Sequence, residues 1–400
     1  MIQALRSKAK NTTASEYGGR VVDSFDSVFV LTAAFLLFFG LIMVTSASME
    51  VVSEKFGDPL FHFYRQGAFL VAGIIGFLIT LKIPTRFWQE FGWVLLVLAF
   101  LLLVAVLVPG IGREVNGSNR WIGFGSINLQ ASEIAKIFVL IYLAGYLVRR
   151  QTEVRSQWSG FLKPMVVLAL MIVLLLAEPD FGAVVVLMGA SLGMIFLAGV
   201  RLQQFIILLS GCLSAMAIMA VSQSYRMQRL VTFTDPWADQ FGSGYQLTQS
   251  LIAFGRGDLF GMGLGNSVQK LFYLPEAHTD FVFAVIAEEF GVVGAVFTVG
   301  LYLLLTLRSL EIGKSANAVG LQFQAYLAYG LGLMLGGQAL INIGVNIGLL
   351  PTKGLTLPLL SYGGSSLLAV CFVVGLLLPI AFKLSCYDAY HNNIYLVRCD

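Results

Sequence analysis

Pro275-Glu276-Ala277-His278-Thr279-Asp280-Phe281 closes a polar stretch that runs roughly from Gln223 to Thr279 between two membrane-length apolar runs. Gly, Asp, Arg and aromatic residues fill this stretch, in a chain where nearly every other residue is at home in lipid. Long ordered loops are usually functional. The chemistry of this chain is therefore expected on the side of the membrane where this loop lies.

Outward from that loop, the apolar runs decide the fold. The chain has 400 residues, 58% hydrophobic and 12% charged, where a soluble domain carries about 25% charged residues. Charge-free runs cover Ser27–Met49, Phe91–Gly112, Phe181–Val200, Leu202–Tyr225, Phe290–Leu307, Leu321–Thr352 and Gly354–Phe382. A membrane-crossing helix needs about 20 apolar residues. Shorter runs at Gln66–Leu81, Ile137–Val148 and Pro164–Ala177 complete the set when flanking residues are added. The reading is an all-α, polytopic membrane protein with about ten transmembrane helices. They are expected near 27–49, 63–82, 89–108, 131–148, 163–178, 181–200, 202–222, 280–308, 322–348 and 361–384. One transmembrane domain (27–384) lies between polar tails (1–26 and 385–400), with the large loop, about 223–279, between helices 7 and 8.

Charge placement orients the bundle. With the N-terminus inside, the inner segments hold Arg6, Lys8, Lys10, Arg20, Lys82, Arg86, Arg149, Arg150, Arg155, Lys163, Arg201, Arg308, Lys314, Lys383 and Arg398, the larger share of the 25 basic residues. That bias puts both termini in the cytoplasm. The first apolar run is too long for a signal-peptide core and reads as an uncleaved anchor. Cys212 and Cys371 fall in spans, Cys386 and Cys399 in the inner tail, so no disulfide framework is expected. The three histidines are scattered, with no metal-ligand spacing. Polar residues concentrate on the outer face, where no nucleotide is available. An activated donor there must arrive attached to lipid.

The candidate residues carry two readings each. Asp280, at the head of the eighth span, is either a helix N-cap or a partly desolvated carboxylate that accepts a proton from a sugar hydroxyl. Glu288 follows eight residues later, about 12 Å deeper on nearly the same face. It is either a packing or ion-pair residue or one that faces a cavity. Glu133 and Lys136 are helical neighbours at i, i+3. They form a self-neutralising pair, or a polar wall that presents Lys136 to a pyrophosphate. Trp121, beside Arg120, is an interfacial anchor or a stacking platform for a sugar. Arg226, Arg229, Arg256 and Lys270 make the large loop cationic, toward anionic ligands or lipid headgroups. The glycines of Gly255-Arg256-Gly257-Asp258 and Gly261-Met262-Gly263-Leu264-Gly265-Asn266 permit tight turns against the membrane. They are no dinucleotide fingerprint, since no strand–helix unit surrounds them. Ser361 opens a small-residue stretch, Ser361 to Ser366, suited to close helix packing.

These motifs resemble the SEDS family (shape, elongation, division and sporulation), in its cell-division branch. The matching stretches are Asn116-Gly117-Ser118-Asn119-Arg120-Trp121-Ile122, Gln130 to Lys136, Glu178-Pro179-Asp180-Phe181-Gly182, Gly244 to Ser250, Pro275 to Asp280, and Gly348 through Ser366. Ala131 departs from the family's frequent Pro, which bears only on the entry to the fourth span. The resemblance implies a peptidoglycan glycosyltransferase, working at the periplasmic face of the bacterial inner membrane at the division septum. Its substrates would be lipid II and the growing glycan strand. Its partners would be a class B penicillin-binding protein, other division-complex membrane proteins and the bilayer, with no nucleic acid. It puts the essential loop carboxylate on Asp280, the functional Trp on Trp121 and the acidic–basic pair on Glu133 and Lys136. Arg120, Arg229, His278, Glu288 and Ser361 complete the expected substrate-contacting set. The only cofactor left open is a divalent cation, Mg or Mn.

The expected chemistry needs one carboxylate as base for the acceptor hydroxyl and positive charge for the departing diphosphate. A glycosidase would need two carboxylates flanking the bond, and Asp280 with Glu288 is too widely spaced. The rival readings are a lipid II flippase, which also suits intramembrane charge and a polar cavity, and a scaffold for a transpeptidase partner.

Overall fold

The computed structural model describes residues 26–115, 118–124, 127–221, 232–351 and 354–391. Helix α1 (Ser27–Phe56) starts behind Asp26, whose carboxylate accepts from the Phe29 N–H at 3.1 Å, and ends at left-handed Gly57. It is followed by α2 (Phe61–Lys82), the short α3 (Thr85–Glu90) and α4 (Gly92–Leu107). The next segment departs from the all-helical expectation. The Gly-rich loop at 109–130 contains a three-stranded antiparallel sheet in the order β1 (Gly112–Val115), β2 (Ser118–Phe124), β3 (Ile127–Gln130). Val115 pairs with Ser118 on either side of Asn116-Gly117, a dipeptide that favours two-residue hairpin loops. Trp121 pairs with Arg113 on one side and Gln130 on the other.

Then come α5 (Ala131–Arg149), the short α6 (Gln151–Ser156), α7 (Trp158–Ala177), α8 (Phe181–Leu197) and α9 (Leu202–Val221). The large loop contains α10 (Tyr245–Gly257), and the chain closes with α11 (Val282–Ala318), α12 (Gln322–Asn346) and α13 (Gly364–His391). Among the described residues, seven helices are long and apolar enough to cross a membrane. Three shorter apolar helices, Gly92–Leu107, Phe181–Leu197 and Leu202–Cys212, stand at the third, sixth and seventh expected spans.

Helices α5 and α12 form the centre, buried along most of their length. They carry the polar groups that lipid would not tolerate: Glu133, Lys136, Gln338, Asn342 and Asn346. The outer helices turn apolar side chains outward, among them Leu31 and Phe38 on α1 and Val71 and Leu78 on α2.

Helix α11 does not run as one rod from 280 to 308. It begins at Val282, ends at Ala318 and breaks at Gly291, where φ is 68° and ψ −165°. Every residue from Val282 to Glu289 is buried in protein, while Val292, Val293, Val296 and Phe297 beyond the break are exposed. The large loop repairs the break. The N–H groups of Met262 and Gly263 donate to the Glu288 and Glu289 carbonyls, both at 2.9 Å. Those of Val292 and Val293 donate to the Asp258 and Leu259 carbonyls, at 2.9 and 3.2 Å. Irregular backbone at membrane depth is tolerated when its polar groups are satisfied in this way.

Candidate active site

Asp280 stands one residue ahead of the cap of α11, and it is not the N-cap that its residue type suggested. The cap is Phe281, without a side-chain hydrogen bond. Among the described residues no hydrogen bond engages the Asp280 carboxyl, which is partly exposed and reaches the Cα side of Gly354, where a Cβ would lie 3.1 Å from Oδ2. Its surroundings are protein rather than lipid, because the helical turns behind it are wholly buried. Desolvation pushes its pKa up to about 7. Glu276 and Asp180 push the same way, and Arg120 pulls it down.

Three amides on one face of α12 fix this position. Gln338, Asn342 and Asn346 are spaced four apart, so they stack along the helix. Asn342 and Asn346 donate their side-chain N–H groups to the Asp280 carbonyl at 2.8 and 3.0 Å. Asn342 also donates to the Leu355 carbonyl. The Asn346 side-chain oxygen accepts from the Ala284 N–H at 3.2 Å, and its carbonyl accepts from the Ser250 hydroxyl on α10 at 2.7 Å. With its main chain held from behind, Asp280 keeps its carboxyl free.

Arg120, on β2, locks onto the turn between α7 and α8. It donates to the Glu178 carbonyl at 3.2 Å and to the Pro179 carbonyl, and lies 3.9 Å from the Asp180 carboxylate. Asp180 caps α8 by accepting from the Ala183 N–H at 3.1 Å, and it also accepts from the Ser132 hydroxyl at 2.8 Å. Glu178 differs from both. Its side chain is buried, neither oxygen has a hydrogen-bond partner among the described residues, and burial raises its pKa to about 8. The neighbouring Asp180 adds to that rise and Arg120 opposes it.

Glu133 and Lys136 form a buried pair. The Lys136 ammonium donates to Glu133 and to the Gln338 oxygen, each at 2.9 Å, and Gln338 donates to the Thr356 carbonyl at 3.0 Å. The pair thus braces the strand of chain that runs past Asp280. Ser361 accepts from the Leu357 N–H at 2.8 Å and holds a turn in that same segment. His278 accepts through its carbonyl from the Tyr362 N–H at 2.8 Å. The His278, His62 and Tyr362 rings cluster, His62 on Tyr362 with centroids 4.4 Å apart and on His278 at 4.9 Å. Burial lowers the His278 pKa, while Glu276 opposes the shift.

Glu288 lies apart from this group and ties down the large loop. It accepts from the Ser267 hydroxyl and from the Val268 and Gln269 N–H groups at 3.1 and 3.2 Å, and pairs with Arg256 at 3.1 Å. Glu289 does the same with Lys270 at 2.9 Å and Ser46 at 2.7 Å. Trp121 is half-buried in the sheet. Arg229 and Arg226 lie outside the described residues. A separate cleft of about 750 Å³ opens between α1, α2 and residues 264–271, with Ser46, Phe63 and Lys270 in its walls. Asp280 is not part of it.

The sequence matches the FtsW, RodA and SpoVE family, described as cell cycle proteins, over residues 26–385. This chain belongs to that family. It is 59% identical over 348 residues to a protein of Pseudomonas fluorescens named "Probable peptidoglycan glycosyltransferase FtsW", covering 87% of this chain and 86% of the relative. A protein of Coxiella burnetii with the same name is 52% identical over 360 residues, 90% of this chain and 97% of the relative. A solved chain from work on "structural coordination of polymerization and crosslinking by a peptidoglycan synthase complex" is 30% identical, with a TM-score of 0.74, covering 90% of this chain and 98% of that one. The rod shape determining protein RodA of Thermus thermophilus is 28% identical, with a TM-score of 0.66, covering 89% of this chain and 96% of that one. Family membership and the apolar helices together make this chain a multi-pass membrane protein.

Within this family framework, the geometry brings Asp280 into the electrostatic reach of Arg120. Glu133, Lys136 and Ser361 hold the segment that borders it. Sequence reading missed Gln338, Asn342, Asn346, Glu178, Asp180 and His62 as parts of this region. The amide stripe had a visible signal, three amides at intervals of four in a charge-free span. Glu178 and Asp180 entered only as members of the family-matching stretch Glu178 to Gly182, with no role assigned.

Proposed function

We propose that this protein is a peptidoglycan glycosyltransferase that polymerises lipid II into glycan strands during septal wall synthesis, with Asp280 as general base. One observation carries the assignment of the base: a partly exposed carboxyl, free of hydrogen bonds among the described residues, with a pKa about 7. A base poised near the working pH combines availability with driving force. In the reaction, the acceptor's 4-hydroxyl oxygen attacks the anomeric carbon of the growing chain. Asp280 takes the hydroxyl proton as the new C–O bond forms. The bond to the lipid diphosphate breaks, and the diphosphate leaves with the electron pair, so no protein acid is required. Arg120, the cation that Asp280 senses, supplies positive charge on that side.

A divalent cation, Mg or Mn, would enter as a companion of the substrate diphosphate. Among the described residues no three His, Cys, Asp or Glu side chains converge to hold one. Residues 27–384 act as one transmembrane domain of ten spans in the inner membrane, with both termini cytoplasmic and Asp280 on the periplasmic side. A class B penicillin-binding protein crosslinks the product, and other division proteins join the pair.

The test is lipid II polymerisation by purified protein with its partner, comparing wild type with Asp280→Asn. Polymer from the wild type and none from the variant, with assembly intact, supports the reading. Polymerisation that survives the change removes Asp280 from the mechanism. Lipid II translocation in vesicles without polymer would instead favour transport.

A further inference from the structure

Leu259, Phe260, Met262 and Leu264 are 57%, 81%, 47% and 54% exposed. Soluble loops rarely present such a cluster. The cluster lies beside the break in α11, tied to it by the four backbone hydrogen bonds around Gly291. Directly across those bonds are Val292 and Val293, 49% and 56% exposed, at the start of the apolar surface that continues to Val296 and Phe297. The loop's apolar side chains and the outer face of a membrane-crossing helix therefore form one continuous surface.

Part of the backbone of this loop is bonded within the protein, as a water-poor setting favours. Besides the bonds to α11, the Gly261 N–H donates to the Gly257 carbonyl at 2.7 Å. Asn266 closes the turn through its N–H to the Gly263 carbonyl at 3.1 Å and through its amide to the Met262 carbonyl at 3.0 Å. Between Asp258 and Lys270 the sequence has no charged residue. Lys270 itself turns inward, onto Glu289, Ser46 and the Gly265 carbonyl. A solvated loop has no need of such internal satisfaction, whereas lipid demands it.

We propose that residues 259–264 are a wedge inserted into the acyl-chain boundary of the bilayer, with Arg256 and Asp258 marking its polar edge. The occupant of this surface is lipid, because the surface is an extension of one that already faces lipid. The wedge also sets depth. The residues just after it, Ser267 to Gln269, grip Glu288 on the buried half of α11, so the height of the wedge in the membrane fixes the height of that half-helix and of Asp280 at its head.

The test uses the full chain in nanodiscs of phosphatidylethanolamine and phosphatidylglycerol. Its native cysteines are replaced by alanine, and Phe260→Cys carries an environment-sensitive fluorophore. Asp239→Cys, on an exposed part of the same loop, is the control. Insertion predicts that brominated acyl chains quench most of the signal at position 260 and little at 239, while aqueous iodide does the reverse. Leu264→Cys should behave as Phe260→Cys does, which covers the case of a poorly folded first variant. Iodide quenching at 260 and 264 in the isolated chain overturns the proposal. So does protection that develops only after a partner protein is added, since that assigns the patch to protein.

Discussion

Asn346 holds the residue ahead of it and the helix behind it at once: its amide donates to the Asp280 carbonyl at 3.0 Å, and its oxygen accepts from the Ala284 N–H at 3.2 Å. The second bond is shared, because the Ala284 N–H also donates to the Phe281 carbonyl at 3.0 Å, and it places an acceptor at the start of α11 where an N-cap carboxylate would otherwise stand. Asp280 is released from capping by an amide on another helix. Replacing Asn346 with Leu removes both bonds, but the Ala284 N–H keeps the Phe281 carbonyl and the Asp280 carbonyl keeps Asn342, so the cost is about 0.5–1.5 kcal/mol per bond lost. The effect on catalysis should exceed the effect on folding, because small misplacements of a base are costly. We expect polymerisation to fall on the order of 10²-fold, with lipid II binding retained, as measured by single-turnover assay and substrate binding. Unchanged turnover would show that Asn342 alone holds Asp280.

The pH profile of polymerisation should report Asp280. Its ionised form is the base, so activity should decline as pH falls through about 7 and be full above it. Glu276 is one of the charges that raises this pKa. Glu276→Gln should therefore move the acid limb to lower pH while leaving the plateau rate close to wild type. A limb that stays in place would mean that the titrating group is not Asp280.

Glu178 should appear in stability rather than rate. Its pKa rises from an ordinary 4.5 to about 8 in the folded chain, so the native state keeps a proton that the unfolded chain gives up. Stability from this group is complete below 4.5, declines as pH rises, and is lost above about 8. Thermal unfolding in detergent across that window should show a falling midpoint in the wild type. Glu178→Gln, which cannot ionise, should show a shallower decline. Parallel curves for the two proteins would count against a buried neutral carboxyl at this turn.

The sequence made the spans legible because their signal is local: a run without charge must lie in lipid or in the core. Asp280 was legible as the polar residue at the head of the expected eighth span. Of its two readings the N-cap one fails, because the side chain that reaches the first turn of α11 is Asn346, 66 residues from Asp280, and no local preference reports that. The stripe of Gln338, Asn342 and Asn346 was visible in spacing, but three amides scarcely alter the hydropathy of a long apolar run. The sheet hid behind glycines that read as a loop, although Asn116-Gly117 carried a hairpin signal. Glu288 kept two readings until the fold placed Ser267 and Arg256 against it. The break at Gly291 has no proline to mark it, and its complement lies in another part of the chain.

That break supplies the sharpest test of the fold. At φ 68° and ψ −165°, Gly291 occupies backbone space that L side chains avoid. A Cβ there would also lie 2.5 Å from the Gly261 nitrogen and from the Leu259 carbonyl group. Gly291→Ala should cost about 1–3 kcal/mol from the backbone alone, and the clash should push the repairing loop away from α11. Gly300, about two and a half turns further along the same helix, is the comparison: a Cβ there meets nothing within 4 Å. Gly300→Ala should be neutral or stabilising by about 0.5–1 kcal/mol, the usual gain from Gly to Ala within a helix. Thermal melts of the two variants would decide the matter. If they lose stability equally, the loop does not depend on Gly291. If only Gly291→Ala melts early and also loses polymerisation, the break and the loop that fills it act as one support for Asp280.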